Sequence, residues 1–442
     1  GAAGVGAWTP ARPADTAPRG PWWTRFGDPR LDRLEQRVGA DNQDIRAALA
    51  RLLRARADTR IARAGLWPRL GVAAAANRSR ISTNSPRLPS TVKPIADNFD
   101  VEGDLSYELD LFGRIHSGVD AARAGEQAGA ADLAALELAM RAEFAIDYFS
   151  LRGEDANIAL LDSTVADDAR SLALTQNLHR GGAAAAVDVS QARAQWEGAR
   201  TAAAEARLQR ALTLHALAVL AGANPTTFTL AADPLPVDSK PPAVNPGLPS
   251  TLLERRPDVA AAERRVAAAN AQIGVARAAY FPVFDLAAAI GADSASASTW
   301  LAAPSRLWSL GATGVLTVFD AGLHRAQSAA AHARYEELVA DYRNTVIGAY
   351  RDVEDDLAAL AALDSEARSE AAAVDASATA LSQARYRYQA GVATYLEVAT
   401  AETAALQARS AAVAIATRRL AAGVRLIEAL GGGWREVPAA SQ

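Results

Sequence analysis

The stretch Phe99-Asp100-Val101-Glu102-Gly103-Asp104-Leu105-Ser106-Tyr107-Glu108-Leu109-Asp110-Leu111 alternates apolar and polar side chains almost without a fault. Successive side chains on a β-strand point to opposite faces. Phe99, Val101, Leu105, Tyr107, Leu109 and Leu111 therefore share one face, and Asp100, Glu102, Asp104, Ser106, Glu108 and Asp110 share the other. A strand of about 10 residues is long enough to cross a bilayer at a tilt. In a lipid-facing barrel the apolar row meets acyl chains and the acids line a water-filled lumen. A soluble sheet with one solvated acidic face fits the same pattern, so both readings stand at this point.

Three weaker segments share this period. Leu70, Val72, Ala74 and Ala76 begin one; Phe284, Leu286, Ala288 and Ile290 form another; Trp308, Leu310, Ala312, Leu316 and Val318 form the last. The expected strands are about 70–82, 98–111, 283–293 and 307–319. Trp300 and Trp308 bracket the loop before the last strand, where an aromatic belt would sit, or they fill a loop core. Four strands cannot close a barrel around water, and an open strand edge cannot face lipid. If these strands span a membrane, several chains must share one barrel.

Outward from the strands the chain repeats itself. Gly322 lies 209 residues after Gly113, Gly391 lies 209 after Gly182, and Gly431 lies 209 after Gly222. One unit has been duplicated, with a length difference confined to its early loop. Each half reads helix, strand, loop, strand, very long helix, break, helix. The long helices are expected over about 114–180 and 325–390, the returning ones over about 187–222 and 394–430. At roughly 1.5 Å per residue each long helix spans on the order of 100 Å. Leu133, Leu136, Met140, Phe144, Leu151, Ile158, Leu161, Val165 and Leu172 advance by threes, fours and sevens, a coiled-coil seam. Such helices also suit a soluble coiled-coil scaffold. Asp28-Pro29 reads as a capped helix start, and Thr251 with Glu254 as a capping box for a short helix that Pro257 closes. The prolines of 9–21 and 234–249 mark extended linking chain.

Composition narrows the function. Of 442 residues none is Cys and one is Met, and the net charge is −4, which leaves no thiolate chemistry and no nucleic-acid footprint. No run of about 18 apolar residues offers a membrane helix, and no basic-then-apolar leader opens the chain, which reads as a mature or trimmed form. His116, His179, His215, His324 and His332 show no ligand spacing, and Gly431-Gly432-Gly433 reads as a helix stop. No cofactor, no metal and no catalytic set is expected.

Several stretches resemble the outer-membrane efflux protein family, which is TolC-like, and most closely its OprM-like lipoprotein subgroup. They are Gly247-Leu248-Pro249-Ser250, Leu253-Glu254-Arg255-Arg256-Pro257-Asp258, Ala271-Gln272-Ile273-Gly274-Val275-Ala276 with Tyr280-Phe281-Pro282, Trp22 to Leu31, Tyr107 to Arg114, and Leu430-Gly431-Gly432-Gly433-Trp434. The resemblance implies a mainly α protein with a membrane β-barrel. Three copies would share a twelve-stranded outer-membrane barrel, with the coiled-coil helices forming a periplasmic α-barrel. Residues 1–40 would be an N-terminal extended segment and collar helix, 41–225 the first repeat, 226–250 an equatorial linker, 251–431 the second repeat and 432–442 a collar tail. Trp434 would pack in the collar. The expected partners are two further copies, a periplasmic adaptor, an inner-membrane pump of the resistance-nodulation-division type and outer-membrane lipid. Members of this subgroup usually begin with a lipidated Cys; position 1 here is Gly.

The resemblance also assigns a periplasmic gate. Both long helices break at glycines, and Gly181, Gly182, Gly391 and Val392 would form the tips where an adaptor docks. Tyr388 matches a tyrosine that locks the closed tip and Asp188 its hydrogen-bonding partner, although Asp188 also suits a helix cap. Leu396 would be an apolar constriction. Glu397 and Thr400 match positions that are often both Asp, so one acid of the ring is kept and one lost; the basic lock residue falls on Ala393. The implied function is a passive exit duct for drugs or other small toxic compounds. A duct for type I protein secretion shares the fold.

Overall fold

The computed structural model describes residues 20–82, 94–243 and 255–432. The Thr251–Glu254 capping box, Trp434 and, of the proline-rich stretches, residues 9–19 and 244–249 lie outside these residues. The chain forms two compact units, 1–50 with 131–260 and 344–442, and 51–130 with 261–343. Each gathers matching pieces of both repeats.

A 3₁₀ turn at Trp22–Phe26 leads into α1 (Pro29–Asp41) and α2 (Gln43–Ala64). Then come β1 (Arg69–Arg80), β2 (Ile95–Leu109), α3 (Arg114–Arg180), α4 (Ala186–Leu220), α5 (Pro257–Ala278), β3 (Val283–Ser294), β4 (Arg306–Val315), α6 (Leu323–Gln389) and α7 (Tyr395–Ala429). The duplication is literal in length: α3 and α6 have 67 residues each, α4 and α7 have 35 each. Asp28 caps α1, accepting from the Arg30 amide at 2.8 Å and the Leu31 amide at 3.3 Å. Pro257 takes the first position of α5, where its missing N–H is not needed.

In the first unit, Trp22, Trp23, Leu31, Val38, Phe144, Phe149, Leu217 and Leu420 share one core. Tyr148 donates to Asp28 at 2.6 Å, and Arg152 reaches the same carboxylate at 2.9 Å. Up to Ala206 the buried positions of α4 are Ala192, Ala199, Ala203 and Ala206, small side chains that let helices approach closely. On α3 the expected seam holds at Phe144, Leu151, Leu161 and Leu172, but Leu138 replaces Leu136 as the buried leucine. A straight helix turns every 3.6 residues, so a seven-residue stripe drifts around it.

In the second unit the strands form one antiparallel sheet, ordered β1-β2-β3-β4. Leu105 faces Leu70 on one side and Ala288 on the other; Asp104 faces Gly71 and Ala289. Among the described residues β1 and β4 each have one unpaired edge. Two strands end earlier than their alternation. Asp110 belongs to the cap of α3: its carboxylate accepts from the amides of Ile115 at 3.0 Å and His116 at 2.8 Å. Asp320 does the same for α6, accepting from Gly322 at 2.8 Å and His324 at 2.9 Å. The first amides of a helix lack intrahelical partners, and at Asp110 this need outranks continued strand pairing.

Candidate functional site: the sheet face and the helix tips

Register sorts the sheet into two unlike faces. One carries Leu70, Val72, Val101, Leu105, Tyr107, Leu286, Ile290, Trp308 and Leu310. Its large side chains are open: Leu70 is 81 %, Val72 82 % and Trp308 79 % exposed in the single chain. Contiguous exposed apolar surface of this kind marks contact with lipid or protein. Trp300 sits half-buried in the β3–β4 loop, so only Trp308 lies on that face.

The other face carries Asp100, Glu102 and Asp104. Their cross-strand neighbours are Ala75, Ala73 and Gly71 on β1, and Asp293, Gly291 and Ala289 on β3. Small residues beside long acids leave room on the inside of a closed barrel, where side chains converge. Gly71 is such a place: a Cβ there would stand 2.5 Å from an Asp104 carboxylate oxygen. The five expected lumen acids therefore divide. Asp100, Glu102 and Asp104 stay on the polar face. Glu108 shares that face but is held by Arg114 through two bonds of 2.8 and 2.6 Å, and Asp110 has left the strand to cap α3.

The tips belong to the other unit and are built twice. Gly182 after α3 has φ +77° and Gly391 after α6 has φ +73°, the left-handed region that glycine enters without penalty. The same two bonds close each turn. Gly182 donates to His179 and Ala183 to Leu178, as Gly391 donates to Tyr388 and Val392 to Arg387. Gly181 has no left-handed backbone. Val392 is exposed at the tip.

The expected Tyr388–Asp188 bond is absent within the chain. Tyr388 instead shares a 3.2 Å bond with the hydroxyl of Thr175 and meets Tyr395 edge-on, with ring centres 5.6 Å apart. Asp188, on the first turn of α4, accepts from the Ala185 amide at 3.1 Å. A free amide three residues away claims the carboxylate before a distant phenol can. Glu397 pairs with Arg387 across the turn at 3.0 Å. Thr400 turns its hydroxyl onto the Leu396 carbonyl at 2.8 Å, and Leu396 is exposed. Ala393 carries no charge; the positive charge beside Glu397 is that of Arg387.

Behind the tip lies a charged group that reading the sequence did not single out. Asp168 on α3 and Glu402 on α7 are buried, and Arg385 on α6 binds Glu402 at 2.8 Å. Burial pushes the Asp168 carboxyl up to about 6, Glu402 adds to the rise, and Arg385 opposes it. The adjacent pair Asp167-Asp168 was the only signal available, and helix position alone does not say which of two neighbouring acids turns inward.

An unpaired-edged sheet, greasy on one side and acidic on the other, joined to duplicated helical hairpins, defines the protomer of an outer-membrane channel. The comparisons agree. The model of the outer membrane efflux protein family matches residues 34–223 and 248–432. Outer membrane protein OprJ of Pseudomonas aeruginosa is 35 % identical over 416 residues, covering 94 % of this chain and 86 % of that protein. The toluene efflux pump outer membrane protein TtgF of Pseudomonas putida is 34 % identical, with the same coverage. A solved channel, VceC of Vibrio cholerae, is 29 % identical with a TM-score of 0.86, covering 94 % of this chain and 99 % of that one. This chain belongs to the outer membrane efflux protein family. It is an outer-membrane efflux channel protein, of a family of transporters rather than enzymes.

Proposed function

We propose that three copies of this chain share one twelve-stranded barrel and act as the passive exit duct of a tripartite pump. An inner-membrane pump of the resistance-nodulation-division type would supply the energy, and a periplasmic adaptor would dock at the Gly181-Gly182 and Gly391-Val392 tips. The cargo is proposed as small organic compounds, the class to which the toluene of TtgF's name belongs. Asp188, Tyr388, Leu396, Glu397 and Thr400 line the proposed gate, with Arg387 as the base paired to Glu397. A ring of three such pairs would focus a modest field at the axis. Adaptor binding that prefers the open tip would shift the gate's equilibrium by its difference in affinity for the two states.

The observation that carries this reading is the exposed apolar face of the sheet, with acids and small residues behind it. Water-filled barrels need that distribution, and a solvated sheet would leave the greasy face uncovered. Spin labels at Val72 and Ala73, adjacent on β1 and on opposite faces, test it in reconstituted bilayers. A lipid-soluble relaxation agent should reach the label at Val72, and a water-soluble one the label at Ala73. Water access at both positions would overturn the membrane assignment.

A further inference from the structure

The helices behind the tip hold more buried acid than base. Asp168 is 1 % exposed, and no protein group donates to either of its carboxylate oxygens. Glu402 accepts from Arg385 at 2.8 and 3.2 Å through Oε1, while its Oε2 has no donor. Arg385 divides its charge, reaching Asp167 at 3.6 Å as well. Arg170 is turned to Asp167, and Tyr388 to Thr175. Tyr395, also 1 % exposed, brings a hydroxyl without a partner. From α4 the apolar side chains packed here are Val189, Ala192 and Trp196. The two buried carboxyls, Asp168 and Glu402, therefore face one guanidinium, that of Arg385, while Asp167 also has Arg170. The chain's own helices bury Asp168, so a second copy cannot bring it a counter-ion.

An ionised carboxylate without donors is strongly disfavoured in such a place, and a second acid nearby disfavours it further. Arg385 binds Glu402 and leaves Asp168 without a hydrogen-bond partner. We infer that Asp168 carries a proton when the tip is packed as here, and that losing this proton loosens the tip. The inference rests on the tip being the gate. A cleft of about 210 Å³ lined by Asp167, Arg170, Arg385, Tyr388 and Tyr395 borders the cluster and offers the proton a path to water. The apolar contacts that hold the tip, Leu172, Tyr395 and Val398, lie in the same layer, so repulsion at Asp168 acts on them directly.

The sign follows from the raised Asp168 carboxyl, which binds a proton up to about pH 6 when packed and only to its ordinary value of 3.8 when wetted. The packed tip is therefore favoured in acid. It loses that advantage as the pH rises from the ordinary carboxylate range through about 6. Asp168→Asn keeps the neutral shape and should hold the tip packed at every pH.

Two measurements test this on the full-length protein. In planar bilayers, wild-type conductance should rise with an inflection near pH 6, and Asp168→Asn should stay at the low-pH level; an unchanged inflection in the variant overturns the inference. Infrared titration of the detergent-solubilised protein needs no conduction. In the wild-type minus Asp168→Asn difference, where Glu35 cancels, a protonated-carboxyl band that persists above pH 5 supports the Asp168 proton, and its absence refutes it. Absence of conductance at any pH, with that band present, would instead count against the duct reading and leave the proton in place.

Discussion

At the scale of single residues, the four aspartates Asp28, Asp110, Asp188 and Asp320 make one point. Each sits at a helix start and accepts from backbone amides there. Alternation offered Asp110 as a lumen charge, and Asp188 read as a gate partner or a helix cap; which amides lie unpaired nearby decides both. Glu35 is a different case. It is 0 % exposed, both carboxylate oxygens lack a hydrogen-bond donor, and Arg141 stands 3.8 Å away while donating to the Glu35 main-chain carbonyl at 3.0 Å. Burial pushes its carboxyl up to about 8, against the pull of Arg141. Because the folded value exceeds the ordinary 4.5, the fold gains from protonation and loses stability as the pH climbs from that value through about 8. Glu35→Gln keeps the shape without the charge. Its apparent Tm should match wild type at pH 5 and exceed it above pH 8, by an equivalent of about 1–3 kcal/mol. Equal melting at both values would show that Glu35 is ionised at little cost.

At the scale of elements, the turns at the two tips allow a paired test. Gly391, at φ +73°, has open space where a Cβ would go, so Gly391→Ala meets only the backbone penalty of the left-handed region, about 1–2 kcal/mol. Gly181→Ala has neither that φ nor a tight neighbour, its nearest atoms lying 3.6 Å away, and should be neutral. Hydrogen exchange at the amides of Gly391 and Val392 should quicken in the first variant; the corresponding Gly182 and Ala183 amides should not change in the second. Similar behaviour of the two variants would mean the turn conformation is not what holds the tip. These elements were the legible part of the chain. The constant offset of 209 fixed pairs of glycines, and the structure returns helices of 67 and 35 residues twice over. What the pattern missed was local competition. Leu111 and Val318 continue the alternation, yet β2 has ended where Asp110 turns to cap α3, and β4 has ended at Val315, opposite the first residue of β3. The Asp168–Glu402–Arg385 group draws on three separate helices, α3, α7 and α6. No periodicity within one helix announces it.

At the scale of the whole molecule, the decisive fact is an unfinished sheet. Four strands leave an edge at β1 and another at β4, and an exposed apolar face that water does not favour. Backbone donors and acceptors on an open edge cannot remain unpaired in a hydrocarbon layer, so in a membrane β1 of one copy must meet β4 of the next. Such head-to-tail pairing closes only as a ring, and strand count sets the bore: about 8 strands fill their interior with side chains, while more leave a channel. The acids Asp100, Glu102 and Asp104 require the channel. Because the chain has no cysteine, this closure can be tested without background. Ser309→Cys on β4, combined with single cysteines placed in turn along β1 from Arg69 to Arg80, should give disulfide-linked dimers and trimers after oxidation in native membranes. Linking should peak at one β1 position and its near neighbours of the same side-chain parity, since strand pairing fixes register and face together. A single peak would fix how the copies join. Only monomers at every position, with the protein folded and in the outer membrane, would mean that β1 and β4 do not pair and that something other than further copies covers the sheet edges.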